Sequence, residues 1–101
     1  MQVQTVVDGK ALHVYLAGEI DHDSAPRIRE KIDDKVTECR PCVLRLDFSD
    51  VSFMDSSGVG LVMGRYRHAH ALGCATEVTH LTPRYEKIMK MSGLSKIVKF
   101  S

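Results

Sequence analysis

Polar and apolar positions alternate from the start of the chain. Val3, Thr5 and Val7 are interleaved with Gln2 and Gln4, the period of a strand with one wet face. Asp8-Gly9 follows, a pair that reaches positive φ at little steric cost and so predicts a hairpin. Leu12, Val14 and Leu16, alternating with His13 and Tyr15, predict the returning strand, which ends at Ala17-Gly18 and runs into a polar loop from Glu19 to Asp23. The period then lengthens. Ala25, Ile28, Ile32 and Val36 recur three or four apart, while Arg27, Arg29, Glu30, Lys31, Asp33 and Asp34 take the other side. This predicts an amphipathic helix to about Cys39, capped by Ser24, with Pro26 tolerated in its first turn.

Pro41 opens a third strand, Cys42 to Phe48, which leads through Ser49-Asp50 to the apolar pair Phe53-Met54. A second helix is expected from about Ser56 to Leu72, with Val59, Val62, Met63, Tyr66 and Ala69 inward and Gly73 as its stop. Cys74 to His80 reads as a fourth strand. Thr82-Pro83 opens a third helix, with Tyr85, Ile88 and Met89 inward, which Gly93 ends, and Ile97 to Phe100 is a short last strand. A hairpin followed by alternating helices and strands requires parallel pairing across helical crossovers. The expected fold is therefore α/β: one domain over residues 1–101, a mixed sheet with helices packed on it.

Composition narrows the function more than the fold. With 44% hydrophobic residues in 101, the chain can bury a real core. Fourteen Lys and Arg against thirteen Asp and Glu leave a net charge of +1, so no electrostatic footprint for nucleic acid or an anionic membrane is present. The N-terminal MQVQTVVDGK lacks a secretory layout, and three cysteines, an odd number, predict reduced thiols in a cytoplasm.

Three groups of residues invite chemistry. Cys39-Arg40-Pro41-Cys42 has the CxxC spacing of a thiol redox site. Such sites draw a low thiol pKa from a helix N-terminus, whereas Cys39 closes a helix, whose dipole raises its pKa. Both cysteines read as ordinary small apolar residues, and no further ligands at zinc spacing lie nearby. His68 and His70, two apart on a helix, point to different faces and cannot chelate together; they read as surface histidines. His22, between two aspartates, is either a partner contact or an exposed loop residue.

Phe53-Met54-Asp55-Ser56-Ser57-Gly58-Val59-Gly60 places an acid and two serines where a strand gives way to a helix. Asp55 is a good N-cap, and serines are common in a first turn. As a nucleophile Ser56 lacks a G-x-S-x-G elbow and an obvious base. As a covalent target it fits better: a phosphoryl group there would meet free N–H groups at the positive end of a helix and add about −1.5 to −2 charge beside Asp55. Gly58 and Gly60 would keep the helix start narrow for a visiting protein.

That stretch closely resembles the phosphorylation motif of the STAS domain family (sulphate transporter and anti-sigma factor antagonist domains). Gly18-Glu19-Ile20-Asp21-His22, Gly64-Arg65-Tyr66 and Met91-Ser92-Gly93-Leu94-Ser95-Lys96-Ile97 extend the resemblance over essentially the full chain, in order. It is most similar to the antagonists that act in sporulation and shares its DS[ST]G core with those of stress responses. The resemblance implies an anti-sigma factor antagonist that, unphosphorylated, binds an anti-sigma factor serine kinase and so frees a sigma factor. It implies phosphorylation on Ser56, release, and reactivation by a PP2C-type serine phosphatase. No catalysis, cofactor, metal, nucleic acid or membrane is implied. A Ser- or Cys-dependent enzyme is the remote alternative. The expected partner surface comprises Asp21, His22, Asp23, Ser24, Asp55, Ser56, Ser57 and Gly58. Asp21 is expected either to meet a basic residue of the partner or to cap its own loop. The same resemblance implies a further helix beyond the last strand, and the chain given stops at Ser101.

Overall fold

The computed structural model describes residues 2–101. Its elements are β1 (Gln2–Asp8), β2 (Ala11–Ile20), α1 (Ala25–Cys39), β3 (Val43–Met54), α2 (Ser57–Ala71), β4 (Ala75–Thr79), α3 (Pro83–Met91), a short 3-10 turn at Leu94–Lys96 and β5 (Lys99–Phe100). The five strands lie in chain order, β1 antiparallel to β2 and every later pair parallel. Successive crossovers stepping in one direction put their helices on one face of a sheet. Val3, Leu12, Val14, Leu16, Leu44, Leu46 and Val78 line that face, and Ile28, Ile32, Val36, Val62, Ala69 and Met89 of the helices complete the same core. The other face is wet and charged: Arg45 Nε lies 2.7 Å from Glu77 Oε2, and His80 Nδ1 lies 3.3 Å from Asp47 Oδ2.

The predicted elements are all present, with informative shifts. Gly9 turns the hairpin at φ +60°. Gly18 is not the end of β2. It sits in a register irregularity, at φ +93°, after which the strand resumes and buries Ile20. β3 likewise runs on through Ser49 and Asp50 to Met54 instead of yielding to a loop. In β1, Val7 is exposed, although the alternation placed it with Val3 and Thr5 on the buried side. In α2 the fully buried positions are Gly58, Leu61, Val62, Arg65 and Ala69; Val59, Met63 and Tyr66 only flank the core. On α3, Met89 is buried, Tyr85 half-buried and Ile88 exposed.

Candidate partner-binding surface

Two loops meet because two strands do. Parallel pairing brings Ile20 beside Met54, and the Asp55 N–H donates to the Ile20 carbonyl at 3.2 Å. The loop Asp21–Ser24 and the turn Asp55–Gly58 therefore leave the same end of the sheet side by side, each feeding a helix.

Each loop is held by an aspartate. Asp21 Oδ1 accepts the N–H groups of Asp23 at 3.1 Å and Ser24 at 2.9 Å. Ser24 Oγ returns the favour, accepting the Asp21 N–H at 3.0 Å. This is the reciprocal arrangement of a capping box. Ser24 is thus not the cap expected of it: its backbone is already helical (φ −83°, ψ −29°), and its hydroxyl reaches back to the loop, not forward into α1. The hydrogen bonds from the Ser24 and Asp23 amides hold the Asp21 carboxyl below its ordinary range, Ser24 contributing most. Of the two roles expected of Asp21, capping is the one its geometry displays.

At the second turn Asp55 Oδ1 accepts the Ser57 N–H at 2.8 Å, as an N-cap should. The Gly58 N–H goes to the Asp55 carbonyl at 3.0 Å, and those of Val59 and Gly60 go to the Ser56 carbonyl at 3.2 and 3.4 Å. The first-turn amides are therefore engaged, correcting the expectation of free donors for a phosphoryl group. What remains for an anion is the positive end of the helix and the Ser56 N–H, which has no acceptor among the described residues.

Ser56 itself is exposed, and its side chain makes no capping bond; Ser57 beside it is half-buried. Gly58 is buried, and a β-carbon there would collide with Cγ and Sδ of Met54. Its lack of a side chain serves the core, so Gly58 drops out of the expected contact surface. Gly60 is exposed and faces open space, as a visiting protein would require.

Two grooves take up part of the expected surface, and Asp55 and Ser56 line neither. His22, Pro26 and Arg29 from the α1 side and Ser57, Gly60, Leu61 and Gly64 from α2 line one of about 340 Å³. Asp21, Asp23 and Ser24 turn instead toward a groove of about 650 Å³ bounded by Gln2 and Gln4 of β1 and by Arg27 and Lys31 of α1. Two residues absent from the expected set stand at this end. Arg29 was read only as a solvated face of α1. Phe53 enters the sequence pattern only as half of the apolar pair Phe53-Met54, yet Met54 is 4% exposed and Phe53 46%. Strict alternation along β3 would have found it, since adjacent strand residues point to opposite faces. His68 lies against Thr37 (Nε2 to Oγ1, 3.0 Å) and His70 stacks on Tyr66, so the two histidines do face apart.

The STAS domain profile matches residues 2–101. The chain belongs to the STAS domain family. Within it, the chain is 33% identical over 100 residues to the anti-sigma F factor antagonist of Paenibacillus polymyxa, covering 97% of this chain and 84% of that protein. It is also 33% identical over 90 residues to the anti-sigma-B factor antagonist of Bacillus subtilis, covering 89% and 81%. Among solved structures, the Bacillus cell fate determinant SpoIIAA in its phosphorylated form superposes with a TM-score of 0.76 at 33% identity, over 99% of this chain and 91% of that one. The chain is thus a STAS domain of the anti-sigma factor antagonist type. Among the described residues no helix is long and apolar enough to cross a membrane.

Proposed function

We propose that this STAS domain is a partner switch of the sporulation type. Unphosphorylated, it binds an anti-sigma factor that is also a serine kinase, and a sigma factor is freed. Phosphorylation of Ser56 ends the binding, and a PP2C-type phosphatase restores it. The observation that carries this reading is the exposure of Ser56 at the start of α2, beside the Asp21–Ser24 loop and with half-buried Ser57 less accessible. The charge added at Ser56 lies next to the Asp55 carboxylate and enters a surface fitted to a neutral hydroxyl, so release needs repulsion and bulk, not refolding. A second reading, antagonist of a general stress-response sigma factor, has nearly the same support from sequence identity: 33% and 35% to two antagonists of the sigma-F type, 29% to 33% to those of the sigma-B type.

Mixing the chain with its anti-sigma kinase, with and without ATP, and following the complex by native mass spectrometry tests the switch. Wild-type protein should bind without ATP, then gain one phosphate and dissociate. Ser56→Ala should bind and accept no phosphate; Ser56→Asp should bind more weakly. Stoichiometric labelling of Ser56→Ala would move the site to Ser57 or end the proposal. Presenting the sigma-F and sigma-B types of kinase in parallel separates the two pathways.

A further inference from the structure

The CxxC spacing drew attention to Cys39 and Cys42, but the sheet gives Cys42 a different neighbour. Val43 of β3 is paired with Ala75 of β4, and the Ala75 N–H donates to the Cys42 carbonyl at 2.9 Å. One residue before that pair, immediately ahead of the two parallel strands, stand Cys42 and Cys74. Neighbouring strands run roughly 4.7–4.9 Å apart, inside the roughly 4.4–6.8 Å between α-carbons that a disulfide spans. Leu44 and Thr76, two residues further on, are an inward pair of this same register, which carried back sets the two cysteine backbones side by side. Both backbones are anchored: the Cys42 N–H donates to Lys10 at 2.7 Å and the Cys74 N–H to Ala69 at 2.8 Å. The two thiols differ in access. Cys42 is exposed and Cys74 is 3% exposed, and all three cysteines of the chain are free.

We propose that Cys42 and Cys74 are a reversible redox pair, Cys42 the entry thiol and Cys74 the resolving one, oxidised by low-molecular-weight disulfides. The Cys42 thiolate attacks one sulfur of the small disulfide, forming a mixed disulfide and expelling a thiolate that takes up a proton. Cys74 then gives up its proton and attacks Cys42 Sγ, breaking the mixed bond and expelling the second small thiol. Two protein thiols become one disulfide, and one small disulfide becomes two thiols. Burial, and next the neighbouring Cys42, raise the pKa of Cys74, so the exposed partner reacts first. Cys39 is separated from Cys42 by Arg40, at φ +48°, and Pro41, and it has no part in the pair. The bond would close a loop holding all of α2 and the turn that carries Ser56, at the opposite end of β3 from that serine.

The test treats the full chain with glutathione disulfide, then measures intact mass and maps unreduced peptides. The expected product has lost two hydrogens, keeps no adduct, links Cys42 to Cys74, and melts at a higher temperature until reduced. Cys39→Ser should behave as wild type. Cys74→Ala should stop at a stable adduct on Cys42, and Cys42→Ser should not react. A Cys39–Cys42 link, a lasting adduct on wild-type Cys42, a disulfide between two chains or no reaction in the wild type would each overturn the proposal.

Discussion

Gly58 and Gly60 are one residue type in one helix turn under opposite constraints. At Gly58 a methyl group meets the side chain of Met54, which is itself packed into the core. Gly58→Ala should therefore cost about 1–3 kcal/mol, the range of overpacking, moderated by how far the flexible thioether can retreat. At Gly60 nothing lies within 4 Å, and alanine is the better helix former by roughly 0.5–1 kcal/mol. Gly60→Ala should then raise stability in urea while weakening kinase binding, since the new methyl group enters the groove shared with His22 and Arg29. Equal urea midpoints for the two variants would refute the assignment of Gly58 to the core. The same residue-level contrast applies to the serines: neighbours in sequence, they differ in access because Ser56 precedes the helix and Ser57 is its first residue.

At the scale of the element, α1 begins in the box formed by Asp21 and Ser24. Asp21→Ala removes the acceptor for two amides, whereas Asp21→Asn keeps an acceptor and loses only the charge. Because the folded carboxyl titrates below its ordinary value of 3.8, its charge favours the folded state above that value. The benefit fades as pH falls through the depressed folded value. The urea-midpoint gap between wild type and Asp21→Asn should therefore be present at neutral pH and close in acid; a constant gap would show that the charge contributes nothing. Elements were legible where periodicity was strong, as in α1, whose predicted stripe is buried at Ile28, Ile32 and Val36 and half-buried at Ala25. Their ends were not. Gly18 and Ser49-Asp50 carry the local marks of a stop, and only the pairing of β2 with β3, distant in sequence, carries both strands past them. The candidate surface followed the same rule: Ser56 and Asp55 were readable from the strand-to-helix switch. The division of the Asp21–Ser24 loop between two grooves was not, because it depends on where β1 and α2 lie in space.

Across the whole molecule, the pairing of β2 with β3 sets the two loops side by side, and a buried ion pair links the helices they feed. Arg65 Nε of α2 lies 2.7 Å from Asp33 Oδ1 of α1, with Arg65 6% and Asp33 25% exposed. Its Nη1 also donates to the Leu61 carbonyl at 3.5 Å. Burial lowers the Arg65 pKa, and Asp33 opposes that shift and favours the charged form. The pair gains less than its geometry suggests, because both ions lose water, but stranding either one is costly. Arg65→Met should destabilise by about 2–4 kcal/mol, toward the lower end of the loss for a buried pair because Asp33 keeps some contact with solvent. The double variant Asp33→Leu/Arg65→Met leaves no stranded charge and should recover part of that loss. Its kinase binding distinguishes two roles for the pair. If the ions fix how α2 sits on α1, binding stays weak although urea stability returns; if they contribute only stability, the two recover together. Recovery of neither would show that methionine and leucine cannot fill the space, and a double variant with branched aliphatic residues at both positions would then repeat the measurement at matched volume.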